Sequence, residues 1–380
     1  MVVIDQIPWF EMDIDGSLQC EITDPYWRNV ECELRRKLYQ YKYMPADMLL
    51  PPYLLIPHNL TDPNYRDFGL KIKEDLALLN KANDIASSHA YHRQIHSEED
   101  LAKIKSTVLS ADQEKDAAAM ETAKEIFTGI APVYWQGISL HSGLWDTVSQ
   151  WISVEECYYA LMNQPELLHA IMEHSTNIVL DWIRQGNEQA LFDVTSMTCH
   201  CSHTIEKPFG QSLSCKQVLP CKQGSKNRPG LSQNSWTFGM AQLFTSVSPE
   251  VTKEFEVPYM KRIFAEFGNV YYGCCEKLED RLDVISEMPN IKKVSCSPWN
   301  DPWRFAANLP HQYIMSHKPN PAFAACGDFE SMKKKLKNTI KAACSHNLRL
   351  EMILKDNSSV HGHPEYLWEF SKMALEVVNQ

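Results

Sequence analysis

The segment VYYGCCEKLEDR, Val270–Arg281, joins an aromatic, β-forming run to a charged, helix-like segment through two cysteines and a glutamate. Valine and tyrosine are enriched in β-strands. A strand that leads into a helix is the repeating unit of α/β folds with a parallel sheet. The segment therefore predicts such a unit and places two thiols and a carboxylate where the strand ends.

The same strand pattern recurs along the chain, and amphipathic helix patterns lie between the strands. About eight strand–helix units predict an α/β fold of the (β/α)8 TIM-barrel type. Ser248, Pro249 and Glu250 form a helix start, and the helix that follows is expected to end at Gly268. The predicted strands are Met48–Ile56, Val133–Leu140, Ala190–Ser196, Ala241–Val247, Asn269–Gly273, Ile291–Ser297, Gln312–His317 and Arg349–Leu354, and further helices are predicted at Val154–Gly186, Asp328–Cys344 and Pro364–Val378.

Length and composition are consistent with one barrel domain. The chain has 380 residues, within the range of (β/α)8 barrels. Residues 1–46 are expected to form a helical N-terminal elaboration, and residues 47–380 the barrel. A long loop rich in Ser, Pro, Gly, Lys and Cys, Cys199–Thr237, follows the third predicted strand. It opens with CHCSH and contains Cys215 and Cys221, a composition that suits a metal but lacks the Cys-x-x-Cys spacing of a zinc knuckle.

Charge and cysteine content exclude several classes of function. The formal net charge is −11 at pH 7, which argues against nucleic acid or an anionic membrane as the main partner. We find neither a secretory signal nor a membrane-spanning run, so the sequence predicts a soluble, cytoplasmic protein. The 12 cysteines are then expected to be free core thiols, metal ligands or nucleophiles.

Residues that directly follow the strands line the active-site face of a (β/α) barrel. There, thiol, imidazole and carboxylate groups are suitable zinc ligands. Cysteine in a strand is also frequent in apolar packing, so both interpretations stay open. The residues expected at this face are Cys274, Cys275, Glu276, Pro298, Trp299, His317, Lys318, Asn320, Lys355 and Asp356, with His141, Trp145, Asp146, Cys199, His200, Cys201 and His203.

The C-terminal half carries a family resemblance. The segments SVSPEVTKEFEVPYMKRIF, VYYGCCEKLEDR, VSCSPWNDPW, HKPNPAF and LRLEMILKD follow one another, and in this order they resemble the uroporphyrinogen decarboxylase-like superfamily. Within it they are more similar to the corrinoid-dependent methyltransferase branch than to the decarboxylases. The resemblance covers about residues 185–380.

The resemblance implies a zinc site that this chain could build only with different ligands. Zinc methyltransferases of the branch use a His-x-Cys pair and a cysteine near the end of the last strand. Here Gly273 stands at the histidine position, Cys275 at the first cysteine, and Lys355 or Asp356 near the end of the last strand. The expected zinc ligands are therefore Cys275, Glu276 and His317, with Asp356 as the alternative to His317.

The resemblance further implies methyl transfer from a small methylated substrate, such as a methoxylated aromatic compound, to cob(I)alamin on a partner corrinoid protein. Tyr272, Glu276, His317 and Asp356 are the candidate catalytic residues, and Trp299, Lys318 and Asn320 the candidate cofactor-binding residues. Trp135, Trp145, Trp299 and Trp303 could either sandwich an aromatic ether or fill the core. The alternatives are a uroporphyrinogen decarboxylase-like tetrapyrrole enzyme, for which the matching arginine-rich loop is not visible in the sequence, and a non-catalytic binding subunit.

Overall fold

The structure, a computed structural model, describes residues 1–48, 50–80, 85–193, 196–199, 201–205 and 230–380. The predicted loop Cys199–Thr237 falls largely outside the described residues, as do His200, Cys215 and Cys221. The strands are β1 Val2–Ile4, β2 Leu54–Pro57, β3 Glu74–Asn80, β4 Ile85–Tyr91, β5 Val133–Gln136, β6 Leu140–His141, β7 Ser196–Cys199, β8 Ser202–Ile205, β9 Trp236–Gly239, β10 Asn269–Tyr272, β11 Ile291–Cys296, β12 Ile314–His317 and β13 Arg349–Leu354. The helices are α1 Trp9–Met12, α2 Pro25–Tyr43, α3 Gln113–Phe127, α4 Leu144–Ile152, α5 Val154–Asn163, α6 Pro165–Gln189, α7 Pro249–Phe255, α8 Val257–Ala265, α9 Leu282–Ile285, α10 Pro302–Asn308, α11 Pro321–Ala325, α12 Phe329–Ser345 and α13 Glu365–Val378, with 3₁₀ helices at Tyr65–Asp67, Glu98–Lys103, Ser232–Asn234 and Gln242–Ser246.

A seven-stranded parallel sheet organises the molecule, in the order β1-β13-β12-β11-β10-β9-β6. Helices follow its later strands in the chain, so the predicted α/β class with a parallel sheet is confirmed. The predicted closure by eight strands is not seen among the described residues. There the sheet forms a half-barrel with β1 and β6 at its edges, and β2 and β5 form a separate parallel pair.

The last four predicted strands coincide with β10 to β13, but the earlier part of the chain needs correction. The predicted strand Ala241–Val247 is instead the 3₁₀ helix, and the neighbouring sheet strand is β9, whose four residues are all buried. At the predicted strand Ala190–Ser196, Ala190 ends α6 in a left-handed conformation, and β7 begins only at Ser196. Residues 1–46 also supply β1 to the main sheet.

The predicted helices are found, with two breaks. The helix expected over Val154–Gly186 is divided at Gln164 into α5 and α6. The helix expected between Pro249 and Gly268 is divided into α7 and α8 at Glu256. Pro258 lies in the first turn of α8, where its missing N–H is tolerated, whereas it would disrupt a continuous helix. Asp328 caps α12, and its side chain accepts a hydrogen bond from the backbone N–H of Ser331.

The two faces of the sheet are buried in different ways. Apolar side chains from the helices cover the outer face. On the inner face, the Lys293 ammonium of β11 lies 2.5 Å from the Glu351 carboxylate of β13. The hydroxyls of Ser202 and Ser316 donate to the same carboxylate. This buried network lies on the inner face below the edge at which the parallel strands end. None of the helices in the described ranges is long and apolar enough to cross a membrane.

Candidate functional site

The site is assembled where β10 and β13 end. Because these strands are parallel, their carboxyl ends meet at one edge of the sheet, the edge that carries chemistry in (β/α) barrels. The chain after β10 contributes Cys274 and Cys275, and the chain after β13 contributes Lys355 and Asp356. The turn between β7 and β8 adds Cys201, which lies in a buried inner cluster with Cys274 and three aromatic side chains.

A sharp turn at Gly273 directs the two cysteines. Its φ is +96°, and a Cβ atom there would come within 2.6 Å of Leu278 Cδ1. Only glycine adopts this conformation without strain. The backbone N–H of Gly273 still donates to Gly239 O, and the Ser295 hydroxyl donates to Cys274 O at 2.7 Å. These bonds anchor the turn to both neighbouring strands.

Three thiols form a chain at the end of β10. Cys201 Sγ lies 3.3 Å from Cys274 Sγ, and Cys274 Sγ lies 3.6 Å from Cys275 Sγ. Cys201 and Cys274 are buried, whereas Cys275 is partly exposed. The hydrogen bond with Cys274 and burial raise the pKa of Cys275 well above its usual range. The Cys275 thiol is therefore protonated at neutral pH in the free protein.

Lys355 and Asp356 complete this group. Lys355 Nζ lies 3.3 Å from the sulfur atoms of both Cys274 and Cys275, and 2.8 Å from Asp356 Oδ2. Cys275 Sγ donates to the same carboxylate oxygen at 3.5 Å. Burial opposes the charged form of Lys355, but the negative charge of the neighbouring cysteines once they ionise and the hydrogen bond with Asp356 outweigh burial and raise the pKa of Lys355. The cluster therefore pairs a buried ammonium with a partly exposed carboxylate. We call Cys201, Cys274, Cys275, Lys355 and Asp356 the thiol–lysine cluster.

Two of the predicted catalytic residues face away from this cluster. Tyr272 is buried on the helix side of β10, where its hydroxyl lies 3.3 Å from Glu256 Oε1. His317 is buried against α12, and its Nε2 lies 3.4 Å from the Thr339 hydroxyl. Burial and the adjacent Lys318 ammonium lower the pKa of His317 to about 3, so the ring is neutral. Side chains alternate across a strand, and both residues fall on the outer face.

Glu276 is folded back into the protein. Its carboxylate accepts hydrogen bonds from the backbone N–H of Cys274 at 2.7 Å and of Ala241 at 3.4 Å. Burial raises its pKa. Glu276 therefore stabilises the turn after β10 and does not join Cys275 as a metal ligand.

The predicted zinc ligands Cys275, Glu276 and His317 are thus not brought together. Across the residues that the structure describes, no group of three His, Cys, Asp or Glu side chains is arranged to hold a metal ion. A zinc ion at the thiols would also meet the Lys355 ammonium, which already contacts two of the three sulfur atoms. The donor set present does not fit zinc.

The three predicted cofactor-binding residues lie in different environments. Lys318 is buried, donates to Ser316 O at 3.2 Å and lies over the Tyr271 ring. The Asn320 side chain caps α11 by accepting from the N–H of Ala322. Trp299 is 66% exposed and is the member of the set that a partner could reach.

The predicted tryptophans divide between core and surface. Trp145 is fully buried, and its indole N–H donates to Phe255 O. Trp135 stacks on His58 with 4.5 Å between ring centroids. Trp303 is 41% exposed and follows β11, as Trp299 does. Of the four, Trp299 and Trp303 are therefore the exposed aromatic residues near the carboxyl ends of the strands.

Beside the thiol–lysine cluster, three carboxyl groups lie close together. Asp146 accepts hydrogen bonds from Gln242 through both oxygens. Burial and the charge of Glu276 raise the pKa of Asp146 to about 7. Burial also raises the pKa of Glu256, one of whose oxygens has no partner among the described residues. In the folded protein these groups retain protons that they would release in the unfolded chain.

This proton retention makes stability depend on pH. Between about pH 4 and pH 7 the folded state binds more protons than the unfolded state, so the free energy of unfolding should fall as the pH rises. We expect Asp146→Asn to reduce the fall between pH 5 and pH 8 by on the order of 2 kcal/mol, measured by urea unfolding. The exposed control Glu266→Gln should leave the fall unchanged. Equal pH dependence in Asp146→Asn and the native protein would contradict this assignment.

Two members of the cluster have roles that sequence reasoning missed. The sequence predicts Cys201 at the active-site face. Its contact with Cys274 joins segments 73 residues apart, and no local sequence pattern indicates such a contact. Lys355 was noted after the last strand, but not as the centre of the cluster. The feature of the sequence that indicates this role is the adjacent pair Lys355 and Asp356 at the end of a buried strand.

Comparison with known proteins shows the fold alone. The sequence matches no protein-family model and no curated protein. Among solved structures, the chain is similar to a methyltransferase from Methanosarcina mazei, with a TM-score of 0.50 and 11% sequence identity. The similarity covers 98% of this chain and 92% of that one. The described part of the chain therefore shares its α/β architecture with that methyltransferase.

Proposed function

We propose that this protein is a cytoplasmic methyltransferase built on an eight-stranded (β/α) barrel. It transfers a methyl group from a small methylated substrate to a corrinoid carried by a partner protein. The observation that carries the proposal is the thiol–lysine cluster at the carboxyl edge of the sheet, where Cys275 and Asp356 are partly exposed. The fold likeness to a methyltransferase supports it.

The cluster suits the difficult part of methyl transfer, the departure of the leaving group. When the bond between the methyl carbon and its heteroatom breaks, the electron pair stays on the heteroatom, which must take up a proton. The Cys275 thiol donates that proton in our scheme. The Lys355 ammonium, 3.3 Å from the sulfur, stabilises the thiolate that remains. Asp356 orients both groups through its shared oxygen.

The methyl acceptor is expected to be delivered by the partner. A reduced corrinoid supplies a strong cobalt nucleophile when it is bound. Trp299 and Trp303 are exposed beyond β11, and flat aromatic surfaces of this kind suit contact with a planar macrocycle. The partner is therefore expected to approach the edge of the sheet at which the strands end.

A second candidate is decarboxylation of a carboxylate-bearing tetrapyrrole. One observation favours it: Lys318 is 1% exposed and has no carboxylate within hydrogen-bond distance in the described part of the chain. A buried ammonium without an anionic partner is costly, and a substrate carboxylate would supply one. Polycarboxylate recognition needs several such cations, and we therefore rank this function second.

The test is an assay of methyl transfer to free cob(I)alamin, with methoxylated aromatics and methylamines as donors. The reaction is monitored by the change in the absorption of the cobalamin. We expect Cys275→Ser to reduce the rate by about 100-fold or more, the range of general acid catalysis. Cys344, an exposed cysteine at the end of α12, provides the control variant Cys344→Ser, which should keep the native rate.

Two outcomes would contradict the proposal. Native rates in Cys275→Ser would remove the thiol from the reaction. No transfer from any donor, together with release of carbon dioxide from uroporphyrinogen, would establish the second candidate instead.

A further inference from the structure

The Lys355 ammonium occupies the centre of the thiol–lysine cluster. Its Nζ contacts two thiol sulfurs and a carboxylate oxygen, at 3.3, 3.3 and 2.8 Å. The lysine is 2% exposed, so its position is set by packing. Asp356 is fixed in turn, since its backbone N–H donates to Gln6 Oε1 at 3.0 Å. Three donor groups from two strand ends therefore surround one cation that belongs to the chain.

The same three donors are of the kind that bind zinc. Zn–S bonds of about 2.3 Å at tetrahedral angles place two thiolate sulfurs about 3.8 Å apart. Cys274 Sγ and Cys275 Sγ are already 3.6 Å apart, and Asp356 Oδ2 lies 3.5 Å from Cys275 Sγ. These two donor–donor distances are close to those between zinc ligands, and the Lys355 ammonium contacts all three donor atoms.

We infer that Lys355 is the resident cation of this cluster and that it keeps metal ions out. A variant without the ammonium should bind a zinc ion through Cys274, Cys275 and Asp356. The inference goes beyond the proposed function, because metal content can be measured whether or not methyl transfer occurs.

Charge balance supports the inference. The Lys355 ammonium is balanced by the Asp356 carboxylate, 2.8 Å away. A zinc ion would require deprotonated thiols and would place a dication within a few ångströms of the buried ammonium. Without the lysine, the Cys274 and Cys275 sulfur atoms and the Asp356 carboxylate would surround the position of the ammonium, and the Lys355 charge would no longer oppose a zinc ion there.

The experiment uses the purified full chain, loaded with zinc sulfate and then desalted. Zinc is counted by elemental mass spectrometry. We expect the native protein to retain little zinc and Lys355→Met to retain about one ion per chain, at least tenfold more. Lys355→Arg keeps the positive charge and should stay metal-poor. Lys372, exposed on α13, gives the control variant Lys372→Met, which should match the native protein.

A second substitution identifies the ligands. Adding Cys275→Ser to Lys355→Met should remove the zinc that the single variant gained. Loading with cobalt should give thiolate-to-cobalt absorption in Lys355→Met and not in the native protein.

Two results would overturn the inference. Stoichiometric zinc in the native protein would contradict the inference. This measurement needs no variant, so it remains decisive even if Lys355→Met fails to fold. A folded Lys355→Met that retains no more zinc than Lys372→Met would show that the ammonium does not exclude the metal.

Discussion

Glu351→Ala should lower the free energy of unfolding by about 3 to 5 kcal/mol, because it leaves a buried charge without its partner. Lys293 and Glu351 side chains are only 4% and 3% exposed, and their charged atoms lie 2.5 Å apart. The same carboxylate accepts hydrogen bonds from Ser202 and Ser316. Its removal therefore leaves the buried Lys293 ammonium without a carboxylate partner and takes one hydrogen-bond acceptor from each of the two hydroxyls.

Two comparisons separate this cause from general disruption. In the double variant Lys293→Met with Glu351→Leu both charges are gone, so at least half of the lost stability should return. Glu287, which pairs with Lys253 and Lys261 at the surface, provides the control Glu287→Ala, expected to cost less than about 1 kcal/mol. Urea unfolding measures all of these. A double variant as unstable as Glu351→Ala would mean that the loss comes from packing and not from the uncompensated charge.

The later strands could be predicted from sequence because each is a short apolar run between clear boundaries. β10 to β13 appear where the pattern placed them, and α12 begins one residue after Asp328, the predicted start of that helix. β1 has only three residues, which is too short for a pattern to be recognised. β9 lies next to the apolar residues Leu243 and Phe244, and these were assigned to the strand although they form a 3₁₀ turn.

The sequence predicts which edge of the sheet the candidate site residues occupy, but not which face of the sheet each side chain takes. Placing Cys275 and Asp356 at one edge agrees with their contact in the structure. Tyr272 and His317 lie at the same edge but on the outer face. A parallel sheet covered on both faces has no simple alternation of polar and apolar residues, so the sequence does not reveal which face a side chain takes. Contacts over long sequence distances, such as that of Cys201, are likewise outside the reach of local patterns.

Gly273→Ala should destabilise the turn that follows β10. We expect it to lower the free energy of unfolding by about 2 to 5 kcal/mol, from backbone strain at φ +96° and from steric overlap. The added Cβ would lie 2.6 Å from Leu278 Cδ1 and 2.9 Å from Ser295 Cβ. Neither neighbour can move freely, since Leu278 is a core residue and Ser295 lies within β11.

Comparison with Gly129→Ala separates the steric part of this effect from the backbone strain. Gly129 also has a positive φ, +77°, but a Cβ atom there would meet nothing within 4 Å. Its substitution should therefore cost only the conformational strain, about 1 to 2 kcal/mol. Urea unfolding of both variants gives the difference directly. If Gly273→Ala costs no more than Gly129→Ala, the turn after β10 can relax without loss. In that case the placement of Cys274 and Cys275 against Lys355 would not depend on the glycine, and the geometry on which the proposed proton transfer rests would be less rigid than the structure indicates.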